Sequence, residues 1–134
     1  MGHAAAPQSA GPLRMDQRTQ AAYLSLAFGA LADASRREVI RLLLQKPRRA
    51  GELAESIHMS PPAMSRHLRV LRQAGLIAEE SIEEDARVRV YCVHPNAFQP
   101  IQQWVSQAED LWRRQLQSFK VYAEGMQRGR RPKV

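Results

Sequence analysis

The stretch Ser-Pro-Pro-Ala-Met-Ser-Arg-His-Leu-Arg-Val-Leu-Arg-Gln-Ala-Gly-Leu, residues 60–76, admits few structures. Ser60 offers a side-chain oxygen to the amides that open a helix, and Pro61 has the φ that the first helical position needs. Gly75 suits the left-handed position that closes one. At 100° per residue, Met64, Leu68 and Leu71 fall on one edge of helix 60–74, while Pro62, Arg66, Arg69 and Gln73 fall opposite. Ala63, Ser65, Val70 and Arg72 lie on the flanks. The helix must bury a narrow apolar edge and present a basic face. Taken alone, that face is either a solvated surface or one offered to a polyanion, and its neighbours must decide.

Upstream, Asp16 can cap a first helix with Leu24, Ala27, Phe28 and Leu31 at i, i+3, i+4 and i+7. Asp33 can cap a second, with Val39, Ile40, Leu43 and Leu44 inward, which Lys46-Pro47 stops. Residues 50–57 form a short third helix with Leu53, Ala54 and Ile57 on one side and no Ser, Thr or Asp to cap it. His58-Met59 makes a turn into the Ser60 helix. Downstream, 76–95 reads as a β-hairpin. Its second limb alternates through Arg87, Val88, Arg89, Val90, Tyr91, Cys92 and Val93, its centre at 83–86 is turn-like, and His94-Pro95-Asn96 ends it. Residues 97–126 form one helix about 45 Å long. Ile101, Val105, Ala108, Trp112, Phe119, Ala123 and Met126 line one stripe, widened by Trp104, Leu111, Leu116 and Tyr122. That band is too wide and too long for so small a domain to cover by itself.

A short helix, a tight turn and a capped helix with Arg and Ser outward make a helix-turn-helix, and the hairpin that follows makes it winged. Small residues near the start of such a second helix allow close approach to base edges, and an arginine there can read guanine with two hydrogen bonds. Double-stranded DNA is the implied partner. The 134 residues carry a net charge of +7, but +4 of it lies from Lys120 onward and +1 in residues 1–20, leaving +2 for the 21–119 body. Pooled charge is therefore a weak argument, and the position of the arginines carries it. With one cysteine, Cys92, no intrachain disulfide can form. The apolar run Tyr23–Leu31 is too short to cross a bilayer, and the chain opens with no signal-peptide pattern, so a cytoplasmic protein without membrane partners is expected. Residues 1–15 and 127–134 read as disordered tails, the second of them basic.

The segments Phe-Gly-Ala-Leu-Ala-Asp-Ala-Ser-Arg-Arg-Glu-Val-Ile-Arg-Leu-Leu-Leu, the 51–77 stretch and Val-Tyr-Cys-Val-His-Pro-Asn-Ala-Phe resemble the ArsR family of bacterial winged-helix transcriptional regulators, over about Phe28 to Phe98. The resemblance implies a mainly α fold with a β-hairpin wing, topology ααααββα, in one DNA-binding and dimerisation domain at 16–126. It implies a homodimer through the first and last helices, which would cover the excess apolar band. Leu24, Phe28, Ile101, Trp104, Val105, Ala108, Leu111, Trp112 and Phe119 are the interface residues this points to. It also implies repression at an inverted-repeat operator, with an unknown small-molecule inducer as a further partner.

Carried over residue by residue, the resemblance makes the Ser60–Ala74 helix the DNA-reading one. Ser65 and Arg66 are expected to read bases, with Ser60, Pro62 and Ala63 close by. Arg69 is expected to meet phosphate, and His67 to be structural or to donate to a phosphate. Gln73 shares the outward face. Lys46, Arg48 and Arg49 can hold phosphates or stand as solvated loop charges. The wing departs from the family's usual basic character, because residues 79–85 hold five acids in seven. Arg87 and Arg89 can still reach phosphates, but the acidic tip argues against deep insertion. The metal-binding motif of the sensing members is absent: the third helix has no cysteine, and His3, His58, His67 and His94 are scattered, so no metal or cofactor is expected. Tyr91 and Val93 are expected inward and Cys92 outward. Nothing in the chain suggests an enzyme: there is no phosphate-binding loop and no nucleophile–base constellation. Two further readings stay open: a winged-helix protein-interaction module that does not read DNA, and a ligand- or redox-responsive sensor acting through Cys92.

Overall fold

The structure is a computed structural model and describes residues 16–82 and 85–129. The expectations for 1–15, for residues 130–134 and for Glu83 and Glu84 lie outside the described residues. The elements follow in the order α1 (Gln17–Leu31), α2 (Ala34–Gln45), α3 (Ala50–Ile57), α4 (Pro61–Gln73), β1 (Ile77–Ile82), β2 (Asp85–Val93) and α5 (Gln99–Gly129). This is the expected ααααββα order. The chain divides into two compact units, one ending at Ala97 and one beginning at Phe98.

In the first unit each helix start has a local cause. Asp16 Oδ1 accepts from the Arg18 amide at 2.8 Å and Asp33 Oδ1 from the Arg36 amide at 3.0 Å. Ser60 Oγ accepts from the Ala63 amide at 3.4 Å. The third helix, which has no conventional cap, is closed instead from its third position, where the Glu52 carboxylate accepts from the Arg49 amide at 3.4 Å.

Helix ends are equally local. At the end of α4, the Leu76 amide reaches the Leu71 carbonyl at 3.1 Å and the Gly75 amide that of Arg72 at 3.0 Å. Gly75 sits at φ +74 between them, which is the paired 6→1 and 5→2 closure of a left-handed helix cap. The end of α3 repeats it, with Met59 to Ala54 at 2.9 Å and His58 to Glu55 at 3.2 Å. There the left-handed position, φ 58, is filled by His58.

The core is one cluster: Val39, Leu53, Met64, Leu68, Leu71 and Leu76 are fully buried. The α4 edge therefore faces inward as its periodicity requires. One expectation for the earlier helices changes, that for Leu44 in α2. In α1 the buried residues are Ala27 and Ala30, and Phe28 stays 40% exposed. Small side chains let α1 approach α2 and α4 closely, and the ring is left at the margin. In α2, Leu42 is buried and Leu44, expected inward, is 61% exposed. The segment after the helix turns back over the Leu42 side. There Arg48 Nε donates to the Leu42 carbonyl at 3.2 Å, and Arg48 exchanges backbone hydrogen bonds with Tyr91 at 3.1 and 2.7 Å.

The hairpin is antiparallel, pairing Ile77 with Val93, Ala78 with Cys92, Glu79 with Tyr91, Glu80 with Val90 and Ser81 with Arg89, then shifting register at Ile82. Opposed residues share a face. Ile77, Glu79, Ser81, Arg89, Tyr91 and Val93 thus lie on one side, and Ala78, Glu80, Val90 and Cys92 on the other. Ile77 is buried, so the first side faces the core at its base, as expected for Tyr91 and Val93.

The second unit is dominated by α5. It runs from Gln99 to Gly129, so the helix continues past the expected end at 126, and residues 127–129 are helical. None of its residues is buried.

The two left-handed caps predict effects of opposite sign. Gly75→Ala forces a Cβ into left-handed backbone and should cost about 1 kcal/mol. His58→Gly relieves the same strain and should gain roughly 0.5–1 kcal/mol. Urea unfolding checks both, and equal shifts in one direction would contradict the assignment.

Candidate nucleic-acid interface

Helices α3 and α4, joined through His58, Met59 and Ser60, are held by the buried Leu53, Ala54, Met64, Leu68 and Leu71. Burial of that edge fixes what α4 shows to solvent. Ser60, Pro62, Ser65, Arg66, Arg69 and Gln73 are exposed, and Ala63 and His67 are half-buried. Arg66, Arg69 and Arg72 recur every third residue and form a row along the outward side. Among the described residues the Arg66 and Arg69 guanidiniums have no ion-pair partner. Arg69, Arg72 and Gln73 border a shallow depression at the C-terminal end of the row.

The platform behind α4 depends on a residue that sequence reasoning passed over. The last carbonyls of α1 have no partner within the helix. Arg36, two residues into α2, supplies one: its Nε donates to the Ala30 carbonyl at 2.6 Å and its Nη2 to that of Gly29 at 3.2 Å. Arg37 Nη1 adds a bond to the Leu31 carbonyl at 2.8 Å. The remaining Arg36 nitrogen, Nη1, lies 3.3 Å from His67 Nδ1. A guanidinium can only donate, so Nδ1 accepts and the ring proton sits on Nε2. His67 is therefore a structural link from α4 to the α1–α2 junction. Asp33 closes the group. The Arg36 amide, above all, holds its carboxyl below the usual carboxylate range, and the nearby Arg36 charge acts in the same direction. The signal for this was the Asp33-x-x-Arg36-Arg37 spacing, which places both arginines where they can reach back to α1.

The loop and wing arginines differ in how far they are engaged within the protein. Arg48 donates to the Leu42 carbonyl and, at 2.9 Å, to Gln45 Oε1, so it ties loop to helix and is not an open phosphate ligand. Lys46 and Arg49 remain exposed. Arg89 is bound at 3.2 Å by the Glu79 carboxylate, which also takes Arg72 at 2.9 Å. Arg87 is exposed. Cys92, on the hairpin face opposite Tyr91 and Val93, is half-buried rather than open, with Sγ 3.7 Å from the Ala78 carbonyl. Burial, then the Glu80 carboxylate, push its thiol pKa up, which disfavours the reactive thiolate. Among the described residues no three His, Cys, Asp or Glu side chains converge as metal ligands, and no helix is long and apolar enough to cross a membrane.

On α5, taken by itself, Trp104, Val105, Leu111, Trp112 and Phe119 are exposed, Trp112 at 60% and Phe119 at 68%, while Ile101 and Ala108 are half-buried. Trp112, Leu116 and Phe119 border an apolar depression with Gln115.

The profile of the bacterial regulatory proteins of the arsR family matches residues 33–79, from the α2 cap to the wing's Glu79. The HTH-type transcriptional regulator Rv2034 of Mycobacterium tuberculosis is 32% identical over 93 residues, covering 69% of this chain and 81% of that protein. The chain belongs to the arsR family of bacterial regulatory proteins. The crystal structure of another ArsR family transcriptional regulator superposes with a TM-score of 0.62 at 30% identity, over 68% of this chain and 97% of that one. A shorter match, 38% identical over 52 residues, is to the transcriptional repressor SdpR of Bacillus subtilis; it covers 39% of this ArsR-family chain and 58% of the repressor.

Removing the Arg36 side chain takes away the side-chain donor of the Ala30 carbonyl and the contact of His67, while the Gly29 carbonyl keeps the Ala32 amide. Arg36→Ala should cost roughly 1–3 kcal/mol, and Arg36→Lys should recover only part of it, because an ammonium lacks the planar fork. Chemical denaturation measures both; a loss within 0.5 kcal/mol for the alanine variant would contradict the role.

Proposed function

We propose that this ArsR-family chain is a cytoplasmic transcriptional regulator that represses by binding an inverted-repeat operator as a homodimer. The observation that carries the reading is the orientation of α4. Its apolar edge is fully buried, and the face left outward bears Ser65, Arg66 and Arg69 with small residues at its start. A helix offering small side chains first and a guanidinium within a turn suits the major groove, where arginine meets guanine O6 and N7.

In this reading Ser65 and Arg66 read base edges, and Ser60, Pro62 and Ala63 allow the helix start to approach. Arg69 and Gln73, a turn or more further along, meet the groove wall. Arg49 and Arg87 add phosphate contacts from α3 and the wing, while His67 holds α4 in place. Residues 16–126 act as the binding and dimerisation domain. The dimer is supported by the exposed apolar side chains of α5 and by exposed Phe28 of α1, with half-buried Leu24 as a further contact, since an α5 band containing two tryptophans and a phenylalanine has to be covered to be stable in water. SdpR, a relative, is a repressor, which favours repression over activation.

The test compares Arg66→Ala and Arg69→Ala on the DNA upstream of the protein's own gene and on a scrambled duplex, at several salt concentrations. Arg66→Ala should cost roughly 1–3 kcal/mol on the specific duplex only. Arg69→Ala should weaken both duplexes alike and flatten the salt dependence by about one unit. If Arg66→Ala weakens both duplexes equally, Arg66 is a phosphate contact and the base-reading assignment fails.

A further inference from the structure

Five acids fall in the 79–85 stretch, and Glu79 stands apart from the wing's tip. Glu79 is two residues after the buried Ile77 on the same face of β1, so strand alternation turns it toward the body of the unit, and only 13% of its side chain is exposed. Its two oxygens are divided between two elements. Oε2 binds Arg72 Nη1 at 2.9 Å, at the C-terminal end of α4, and Oε1 binds Arg89 Nη1 at 3.2 Å, on β2. One carboxylate thus joins α4, β1 and β2.

The two arginines are half or more exposed, 51% and 64%. Arg72 is the third member of the Arg66–Arg69–Arg72 row, and Arg89 is a wing cation. Left alone, these guanidiniums would repel each other and add sequence-independent attraction to any polyanion. With Glu79 between them they are held together, and one of their two charges is cancelled. Resting on the DNA-binding reading above, we propose that Glu79 is a specificity-setting residue. It fastens the wing to the reading helix and withholds Arg72 and Arg89 from non-specific phosphate contact, leaving Arg66 and Arg69 to face the DNA unpaired. Discrimination is the ratio of specific to non-specific affinity. A carboxylate that lowers only the non-specific part raises that ratio without touching a base.

The experiment uses the full chain and Glu79→Gln, which keeps size and loses charge, beside Arg72→Gln/Arg89→Gln and the triple variant. Two readouts are needed: binding to the upstream and scrambled duplexes as a function of salt, and amide hydrogen exchange without DNA. Glu79→Gln should bind the scrambled duplex several-fold tighter at low salt. Its log K against log[salt] should steepen by about 0.9 for each phosphate contact unmasked, so its specificity ratio should fall. In the triple variant the glutamine should add nothing to the double. Exchange at β1 and β2 amides should quicken in Glu79→Gln while α1 to α3 keep their protection. A salt slope and specificity ratio equal to those of the parent would overturn the charge-withholding role, and unchanged wing exchange would overturn the fastening. If the parent chain binds neither duplex, the DNA-binding reading and the specificity role fall together, and the fastening is still decided by exchange.

Discussion

Everything outward in this chain depends on what one helix edge must hide. Met64, Leu68 and Leu71 are almost fully buried against Leu53, Val39 and Leu76. Burying side chains of this size is worth about 1.5–3 kcal/mol each, so rotating α4 to expose them would forfeit much of a small domain's net stability. The opposite edge is thereby fixed, and with it the direction in which Ser65, Arg66 and Arg69 point. What α4 presents outward is here a by-product of core packing.

The polar contacts refine that arrangement. Arg36 closes the end of α1 and touches His67 on the inner flank of α4, so α1, α2 and α4 meet at a single guanidinium. On the other side Glu79 joins α4 to both wing strands. The Arg48–Tyr91 backbone pairing ties the α2–α3 connection to β2. The helix-turn-helix is held at the middle of α4, through His67, and at its C-terminal end, through Arg72, while among the described residues Arg66 and Arg69 on its outer face have no ion-pair partner.

The α4 pattern, the caps at Asp16, Asp33 and Ser60 and the Gly75 stop were legible because each is a local rule acting within four residues. Which flank of α2 is buried was not, since Leu42 and Leu44 lie at comparable angles from the core line and the returning 46–49 segment decides between them. The roles of Arg36, Arg48 and Glu79 depend on partners 6 to 31 residues away, a range where periodicity is silent. The inward turn of Glu79 is a case of the same kind: counting charge over 79–85 pools it with its neighbours, whereas strand alternation from Ile77 sets it apart. Cys92 was placed on the correct hairpin face, yet its partial burial is a tertiary fact that alternation alone does not supply.

The central claim is that two copies of the α4 outer face read one duplex. The most direct measurement is selection of bound sequences from a randomised duplex library by the full chain, followed by the stoichiometry of the winning complex. The account predicts an inverted repeat with half-sites about 34 Å, or a small multiple of it, apart on one DNA face, bound by two chains. Enrichment of a single unrepeated site bound by one chain, or no enrichment at all, would contradict it.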